Sequence, residues 1–403
     1  MKTFLYLIPF LFCWPTAQAA TKSLHHDLQV SLFPSEKRMS GTDRLNVEPD
    51  HASELSFNLS QKTYVIKVEV NGRPVSFTFR DGRLHVPLRT DERHNVVSVS
   101  IRYEGIFDDP IPESPLNTDN PSYGVTGIIS EKGCFLQAGS AWHPEIPGSQ
   151  PTYRLRVDAP AGVLAVSVGK CLGHETKEGR TSSIWEVKHP MEGLSFSAAR
   201  YVVKERAAGS VRAATYFFPG SDHLAEGYLN ASIRYITFYE ELFGPYPFDK
   251  FAIVENFFPT GYGFPSYTLL GSRVIRLPFI IYTSLGHEIA HCWWGNGVYV
   301  DYEKGNWSEG LTTYVADYLY KEKTSVEEAR KYRLQILREF ATLVNPQKDF
   351  PLRRFQSRYD PASQAIGYGK GAMVFHMLRQ QLGDNAFWEA LKDVYKERLF
   401  QKT

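Results

Sequence analysis

The chain has 403 residues, with 45 basic against 44 acidic side chains, a formal net charge of +1 and 43% hydrophobic residues. That length exceeds the usual span of one domain, so two or more are expected, and the apolar share is enough for well-buried cores. The near-neutral balance, with no basic run or aromatic-basic interleaving, argues against nucleic acid as a partner.

At the start, Met1-Lys2, the apolar stretch Phe4 to Trp14 and Thr16-Ala17-Gln18-Ala19 read as a signal peptide cleaved after Ala19. The apolar part is shorter than the roughly 20 residues a bilayer span needs, and no later stretch reaches that length. Phe12 precedes Cys13 where a lipoprotein leader has a small residue, which argues against a lipid anchor. The mature protein is therefore expected to be exported, either periplasmic or secreted. In that oxidising setting Cys134 and Cys171 form the one plausible disulfide pair. Cys292, between His291 and Trp293, reads as a buried free thiol.

Residues 20–205 alternate with period two and are punctuated by turns, the pattern of an N-terminal antiparallel β-sheet domain. Ile66, Val68 and Val70 lead into Asn71-Gly72, then Val75, Phe77 and Phe79 lead into Asp81-Gly82, then Leu84, Val86 and Leu88 follow. These predict two successive hairpins with primed turns. A strand through Val97, Val99, Ile101 and Tyr103 precedes a loop rich in Pro, Asp and Asn from Asp108 to Tyr123. Further strands are expected at Tyr153 to Val157, Val163 to Val168 and Ser183 to Val187.

Residues 206–403 form the second expected domain, mostly helical towards the C-terminus. A strand from Val211 to Phe217 leads into a long helix with Leu229, Ile233, Ile236, Tyr239 and Phe243 on one face, ended by Gly244-Pro245. Ser325-Val326-Glu327-Glu328 reads as a capping box opening a helix to about Val344. Helices near Lys370 to Leu382 and Asn385 to Leu399 complete the pattern.

The chemistry concentrates at His287-Glu288-Ile289-Ala290-His291. Two histidines four apart on a helix lie about 40° and one turn apart, so both imidazoles reach one metal ion. Glu288 projects beside them, suited to take the proton of a water that the metal polarises. Thr283-Ser284 and Gly295-Asn296 bracket the motif as start and stop signals, and Leu285, Ile289 and Trp293 supply its apolar stripe. Catalytic zinc takes three protein ligands, and Glu309 is the best third, opening a helical pattern through Leu311, Val315, Tyr318 and Leu319. Asp317, two turns beyond Glu309, is placed to orient a ligand histidine. Trp293, Trp294 and Trp307 read as core packing.

His291 followed by Cys-Trp-Trp-Gly-Asn, with Glu309 in Trp-Ser-Glu-Gly, resembles the aminopeptidase N family of gluzincin metallopeptidases, which includes the leukotriene hydrolase type. Seventeen residues separate His291 from Glu309, one fewer than the family's eighteen, consistent with a deletion in the loop Tyr299 to Asn306. Gly367-Tyr368-Gly369-Lys370-Gly371-Ala372 resembles the family's Tyr-x-Lys-Gly-Ala, which makes Tyr368 the expected hydrogen-bond donor to the oxyanion. The resemblance implies an α+β multidomain fold with a thermolysin-like catalytic domain, one zinc per chain, and hydrolysis of peptide or protein substrates.

Family aminopeptidases carry Gly-x-Met-Glu-Asn on an edge strand whose Glu binds the substrate's α-amine. Here the stretch is Thr260-Gly261-Tyr262-Gly263-Phe264-Pro265-Ser266, and the Glu falls on Phe264 or Pro265. Gly261, Tyr262 and Gly263 are the expected substrate-binding backbone. Glu255 in Glu255-Asn256 is the alternative amine anchor, although Ala252 to Glu255 reads as an ordinary strand, and Gln137 is the position for a second amine contact. Exopeptidase specificity therefore lacks its matching carboxylate. A non-peptidase zinc hydrolase, or a silent binding protein on the same scaffold, is the alternative reading. Family members usually continue into a C-terminal helical domain, so the chain is expected to be a short form or a truncated sequence.

Overall fold

A computed structural model describes residues 21–111 and 124–403. The expected leader and most of the loop from Asp108 to Tyr123 lie outside the described residues. The N-terminal part is built on an eight-stranded sheet with the spatial order Lys170–Lys177, Arg180–Val187, Thr152–Pro160, Lys22–Phe33, Arg38–Glu48, Val97–Ile106, Thr63–Val70, Arg73–Pro74. A four-stranded and a three-stranded sheet pack with it.

The expected antiparallel pattern holds with one exception: Lys22–Phe33 and Thr152–Pro160 run parallel. The chain has travelled far enough between them to return in the same direction, which strand alternation by itself does not reveal. Both primed turns are present. Asn71 and Gly72 have φ of 50° and 77°, and Asp81 and Gly82 have 51° and 76°. The two hairpins do not share a sheet, however. Arg73–Pro74 closes the edge of the large sheet, while Thr78–Arg80 pairs with Arg83–Pro87, which pairs in turn with Glu54–Asn58 in the small one.

The expected Cys134–Cys171 disulfide is absent, and all three described cysteines are free. Cys134 is buried in the four-stranded sheet and Cys171 lies on the outermost strand of the eight-stranded one, each thiol next to its own polar neighbour. Cys292 is a buried free thiol, as expected.

A further sheet, of five strands, begins at Val202, so the boundary expected after Glu205 falls inside its first strand. Its order is Val202–Ala208, Val211–Phe217, Lys250–Asn256, Tyr267–Gly271, Gly261–Phe264. Lys250–Asn256 runs parallel to both neighbours, whereas Gly261–Phe264 is an antiparallel edge strand. Both faces of this sheet are covered. Ala252, Val254, Tyr267 and Leu269 join the core of the N-terminal part, while Phe251, Ile253 and Leu270 join a core built on the helices. Burial on two sides explains the unbroken apolar run from Phe251 to Val254.

The helices that complete the second core are α1 (Ala225–Phe243), α2 (Ser284–Ala290), α3 (Ser308–Thr313), α4 (Leu319–Thr324), α5 (Val326–Leu343), α6 (Pro361–Gln364), α7 (Gly371–Leu382) and α8 (Asp384–Arg398). Ser325 caps α5, its side chain accepting from the Glu328 amide at 3.1 Å. Two π turns interrupt the helical path: Tyr314–Tyr318 joins α3 to α4, and Ala365–Lys370 joins α6 to α7. None of the described helices is long and apolar enough to cross a membrane.

The crossing of α3 over α7 is unusually close. A Cβ on Gly310 would stand 2.8 Å from the Gly371 Cα and 3.1 Å from the Gly367 carbonyl oxygen. Backbone cannot yield as a flexible side chain does, so Gly310→Ala is expected to cost about 1–3 kcal/mol of stability. Urea unfolding checks this: the midpoint should fall with the slope unchanged.

Candidate metal and catalytic site

The short α2 is held from beneath by large buried rings. Trp293 and Trp294 are fully buried, and the Trp293 indole donates to the Gly244 carbonyl at 3.1 Å. Both are core residues, and Trp307 packs partly buried against the same core, as expected. After Ala290 the backbone tightens, with Cys292 and Trp293 bonding three residues back. Gly295 then reverses the chain at φ 115°. The expected helix is therefore present but ends sooner than its stop signal.

From this platform His287 and His291 point at Glu309 on α3. The two Nε2 atoms lie 3.2 Å apart, and Glu309 Oε2 is 3.6 Å from His287 Nε2 and 3.3 Å from His291 Nε2. With bonds of about 2.0–2.2 Å, tetrahedral zinc ligands sit roughly 3.3–3.5 Å apart, so the triangle has the size of one coordination sphere. Two imidazoles, one carboxylate and an open side towards a cleft are the donor set of a catalytic zinc.

The outer nitrogens fix which ring atom faces the ion. His287 Nδ1 is 2.8 Å from Asp317 Oδ2, and His291 Nδ1 is 3.0 Å from the Trp294 carbonyl oxygen. Protons on both Nδ1 atoms leave the Nε2 lone pairs turned inward. On a regular helix Asp317, eight residues after Glu309, would sit about 80° around the axis; the extra residue taken up by the π turn reduces this to about 20°. Both carboxylates therefore address His287. Burial opposes charge on Glu309, but His291 and His287 outweigh it and hold its carboxyl well below the usual range. Burial likewise opposes protonation of His287, and the Asp317 and Glu309 carboxylates override it and push it up.

Glu288 faces the same cleft, whose volume is about 990 Å³. Across from it runs the edge strand, with Gly261, Tyr262 and Gly263 lining the wall. A Cβ on Gly263 would lie 2.5 Å from Glu288 Oε2, so the strand passes directly over this carboxylate. Tyr368 comes in from the π turn Ala365–Lys370, its ring stacked at 6.3 Å on that of His287. Burial raises its phenol well above the ordinary range, so it stays protonated and able to donate. Arg358 lies over the Tyr368 ring, 5.9 Å from its centre.

The expected amine contacts do not reach the cleft. Pro265 and Ser266, with φ 71° at Ser266, form a tight turn between Phe264 and Tyr267, and the Phe264 ring stacks on Tyr267 at 4.7 Å. Glu255 is fully buried, accepting from the Phe218 amide at 2.8 Å and the Ser221 hydroxyl at 3.1 Å. Gln137, expected to bind substrate, is not among the residues lining the cleft. It follows the strand Gly133–Leu136 of the four-stranded sheet in the N-terminal part, and Phe135 on that strand touches the cleft wall from behind, stacking on Tyr262 at 6.0 Å. Arg358 and Glu339 also line the cleft and carry no local motif that would single them out, while Asn296, read only as part of a stop signal and of the resemblance, lines it too.

Residues 280–403 match the model of the peptidase family M1 domain. Aminopeptidase 2 of Candida albicans is 20% identical over 95% of this chain and 44% of its own length. The alanine/arginine aminopeptidase of Saccharomyces cerevisiae is 27% identical over 47% of this chain and 24% of its own. The chain thus spans less than half the length of these curated relatives. Among solved structures, an M1 zinc metallopeptidase from Deinococcus radiodurans superimposes with a TM-score of 0.75 at 20% identity, covering 96% of this chain and 89% of that one. Native yeast LTA4 hydrolase gives a TM-score of 0.69 at 17% identity, covering 95% and 63%. The zinc-sized triangle of His287, His291 and Glu309 lies within the part of the chain that matches the peptidase family M1 domain.

Proposed function

We propose that this protein is a zinc-dependent peptidase that hydrolyses peptide bonds in extended substrates, with one zinc per chain held by His287, His291 and Glu309. The observation that carries this reading is the 3.2–3.6 Å ligand triangle opening onto the cleft that Glu288 and Tyr368 also face. Zinc bound there would supply a Lewis acid that polarises the carbonyl and makes water more acidic. Glu288 takes the proton of the attacking water and passes it to the leaving amine. The Tyr368 hydroxyl donates a hydrogen bond to the oxyanion, charge that develops only as the carbonyl is attacked. Asp317 keeps the His287 proton on Nδ1, and the Trp294 carbonyl does the same for His291.

Among the described residues Gly261–Phe264 is the last strand of its sheet. An edge strand that lines the cleft suits addition of a substrate strand, and the glycines at 261 and 263 let that backbone approach closely. A Deinococcus radiodurans M1 zinc metallopeptidase mutant of the same fold is described as bound to a Tyr-Ser-Ala substrate, which favours a peptide ligand here. Because neither Phe264 nor Pro265 offers charge and Glu255 is engaged elsewhere, recognition does not depend on a free α-amine. The protein acts within peptide chains or on short oligopeptides, and the leader expected at residues 1–19 directs it to the periplasm or the exterior. The alternative is a non-peptidase hydrolase using the same zinc ligands, Glu288 and Tyr368.

Internally quenched peptides supplied with free or acetylated N-termini test this reading. Cleavage rates for the two forms should agree within about threefold, whereas dependence on the free amine by about a hundredfold, more than 2.5 kcal/mol, would overturn the amine-independent claim. Cleavage of epoxides and of no peptide would favour the alternative. Tyr368→Phe should lower kcat about 10²–10³-fold, with KM and metal content little changed; steady-state kinetics and metal analysis read both.

A further inference from the structure

Far from the cleft machinery, four chemistry-bearing side chains meet inside the N-terminal part. His26 on Lys22–Phe33 and Asp43 on Arg38–Glu48 are diagonal neighbours across the two central strands, since Asp43 is in register with Leu28. His26 Nδ1 lies 2.7 Å from Asp43 Oδ2. His143 and Glu145 come from the loop after the 3-10 turn Ala138–Ser140, with His143 Nε2 3.0 Å from Glu145 Oε1. His26, Asp43 and His143 are 1%, 0% and 0% exposed, and one ligand atom from each lies within 4.8 Å of the other two.

Three polar atoms in this cluster have no hydrogen-bond partner: Asp43 Oδ1, His143 Nε2 and Glu145 Oε1, all shielded from solvent. Leaving even one such atom unpaired is costly, and most buried polar groups avoid it. The His143 Nδ1 atom faces the Pro144 carbonyl at 3.2 Å, and Nε2 faces Glu145 Oε1 at 3.0 Å without the alignment of a hydrogen bond. The nitrogen and the carboxylate oxygen repel at this distance unless a positive charge, a proton or a bound cation, lies between them, and 3.0 Å is a ligand-to-ligand distance within one coordination sphere. A small cavity of about 110 Å³, lined in part by His26, Glu145 and Tyr153, reaches the cluster and gives an ion a way in.

We propose that His26, Asp43, His143 and Glu145 form a second, structural metal site for a divalent cation of the zinc type. Two imidazoles with two carboxylates suit a borderline cation such as zinc, whereas calcium and magnesium are served by oxygen ligands alone. The bound ion ties the loop carrying buried Trp142 and Glu145 onto the two middle strands of the eight-stranded sheet. It satisfies the three orphaned atoms together.

Metal analysis of the purified full chain tests this independently of the cleft. The wild type should carry about two equivalents, His287→Ala/His291→Ala about one, and Asp43→Asn/His143→Gln about one. Stripping the metal retained by His287→Ala/His291→Ala with a chelator should lower Tm by about 5 °C or more, and zinc should restore it. The proposal is overturned if His287→Ala/His291→Ala retains no metal and its Tm ignores zinc, or if Asp43→Asn/His143→Gln retains two equivalents. In the first case a wild type with one equivalent leaves the cleft reading intact and makes the cluster a proton-sharing network. Should the Asp43→Asn/His143→Gln protein fail to fold, the comparison of wild type with His287→Ala/His291→Ala decides alone.

Discussion

Everything proposed for the C-terminal half depends on bringing three ligand atoms, carried by two separate helices, within the span of one ion. His287 and His291 share α2, so their spacing is set by helix geometry alone. Glu309 is on α3, and its position depends on tertiary packing. The close crossing at Gly310 and Gly371 seats α3 against α7, while Trp293 and Trp294 lock the end of α2. Rigid, fully buried supports of this kind keep a site within the small tolerance that metal binding and catalysis demand.

The five-stranded sheet makes the second contribution. Because both its faces are buried, Lys250–Asn256 is fixed between two cores and has no side chain free for the cleft, Glu255 included. Functional exposure is therefore restricted to the edge, where Gly261–Phe264 passes over Glu288. The same edge that would be a liability in an isolated sheet is where the proposed peptide substrate would add its backbone. Two π turns, at Tyr314–Tyr318 and Ala365–Lys370, deliver Asp317 to the Nδ1 edge of the His287 ring and Tyr368 to its face. Each departs from α-helical register at a residue the site uses.

What could be read in advance follows the range of the interactions. His287, Glu288 and His291 are legible because the i, i+4 rule is local, and Glu309 because it opens an apolar helical period. Both primed turns were visible as dipeptides, but not the division of the two hairpins between sheets, which depends on packing of Val75 and Phe77 against distant residues. Pairing of Lys22–Phe33 with Thr152–Pro160 joins segments over a hundred residues apart, and its parallel direction has no local signature. Cys134 and Cys171 looked like partners because they were the two thiols left over; strand order put them in different sheets. Gln137 was placed by motif position, yet the strand before it, Gly133–Leu136, serves the wall behind Tyr262. The cluster of His26, Asp43, His143 and Glu145 follows no spacing rule at all and emerges only once the strands are registered.

The most direct test of the central claim is to remove all metal from the wild-type protein and from Glu288→Gln, return one equivalent of zinc at a time, and follow peptide cleavage. The account predicts that zinc rebinds to both proteins, that cleavage returns only in the wild type, and that Glu288→Gln stays lower by about 10³-fold or more. Cleavage by metal-free wild type, or by zinc-loaded Glu288→Gln at the wild-type rate, would contradict it.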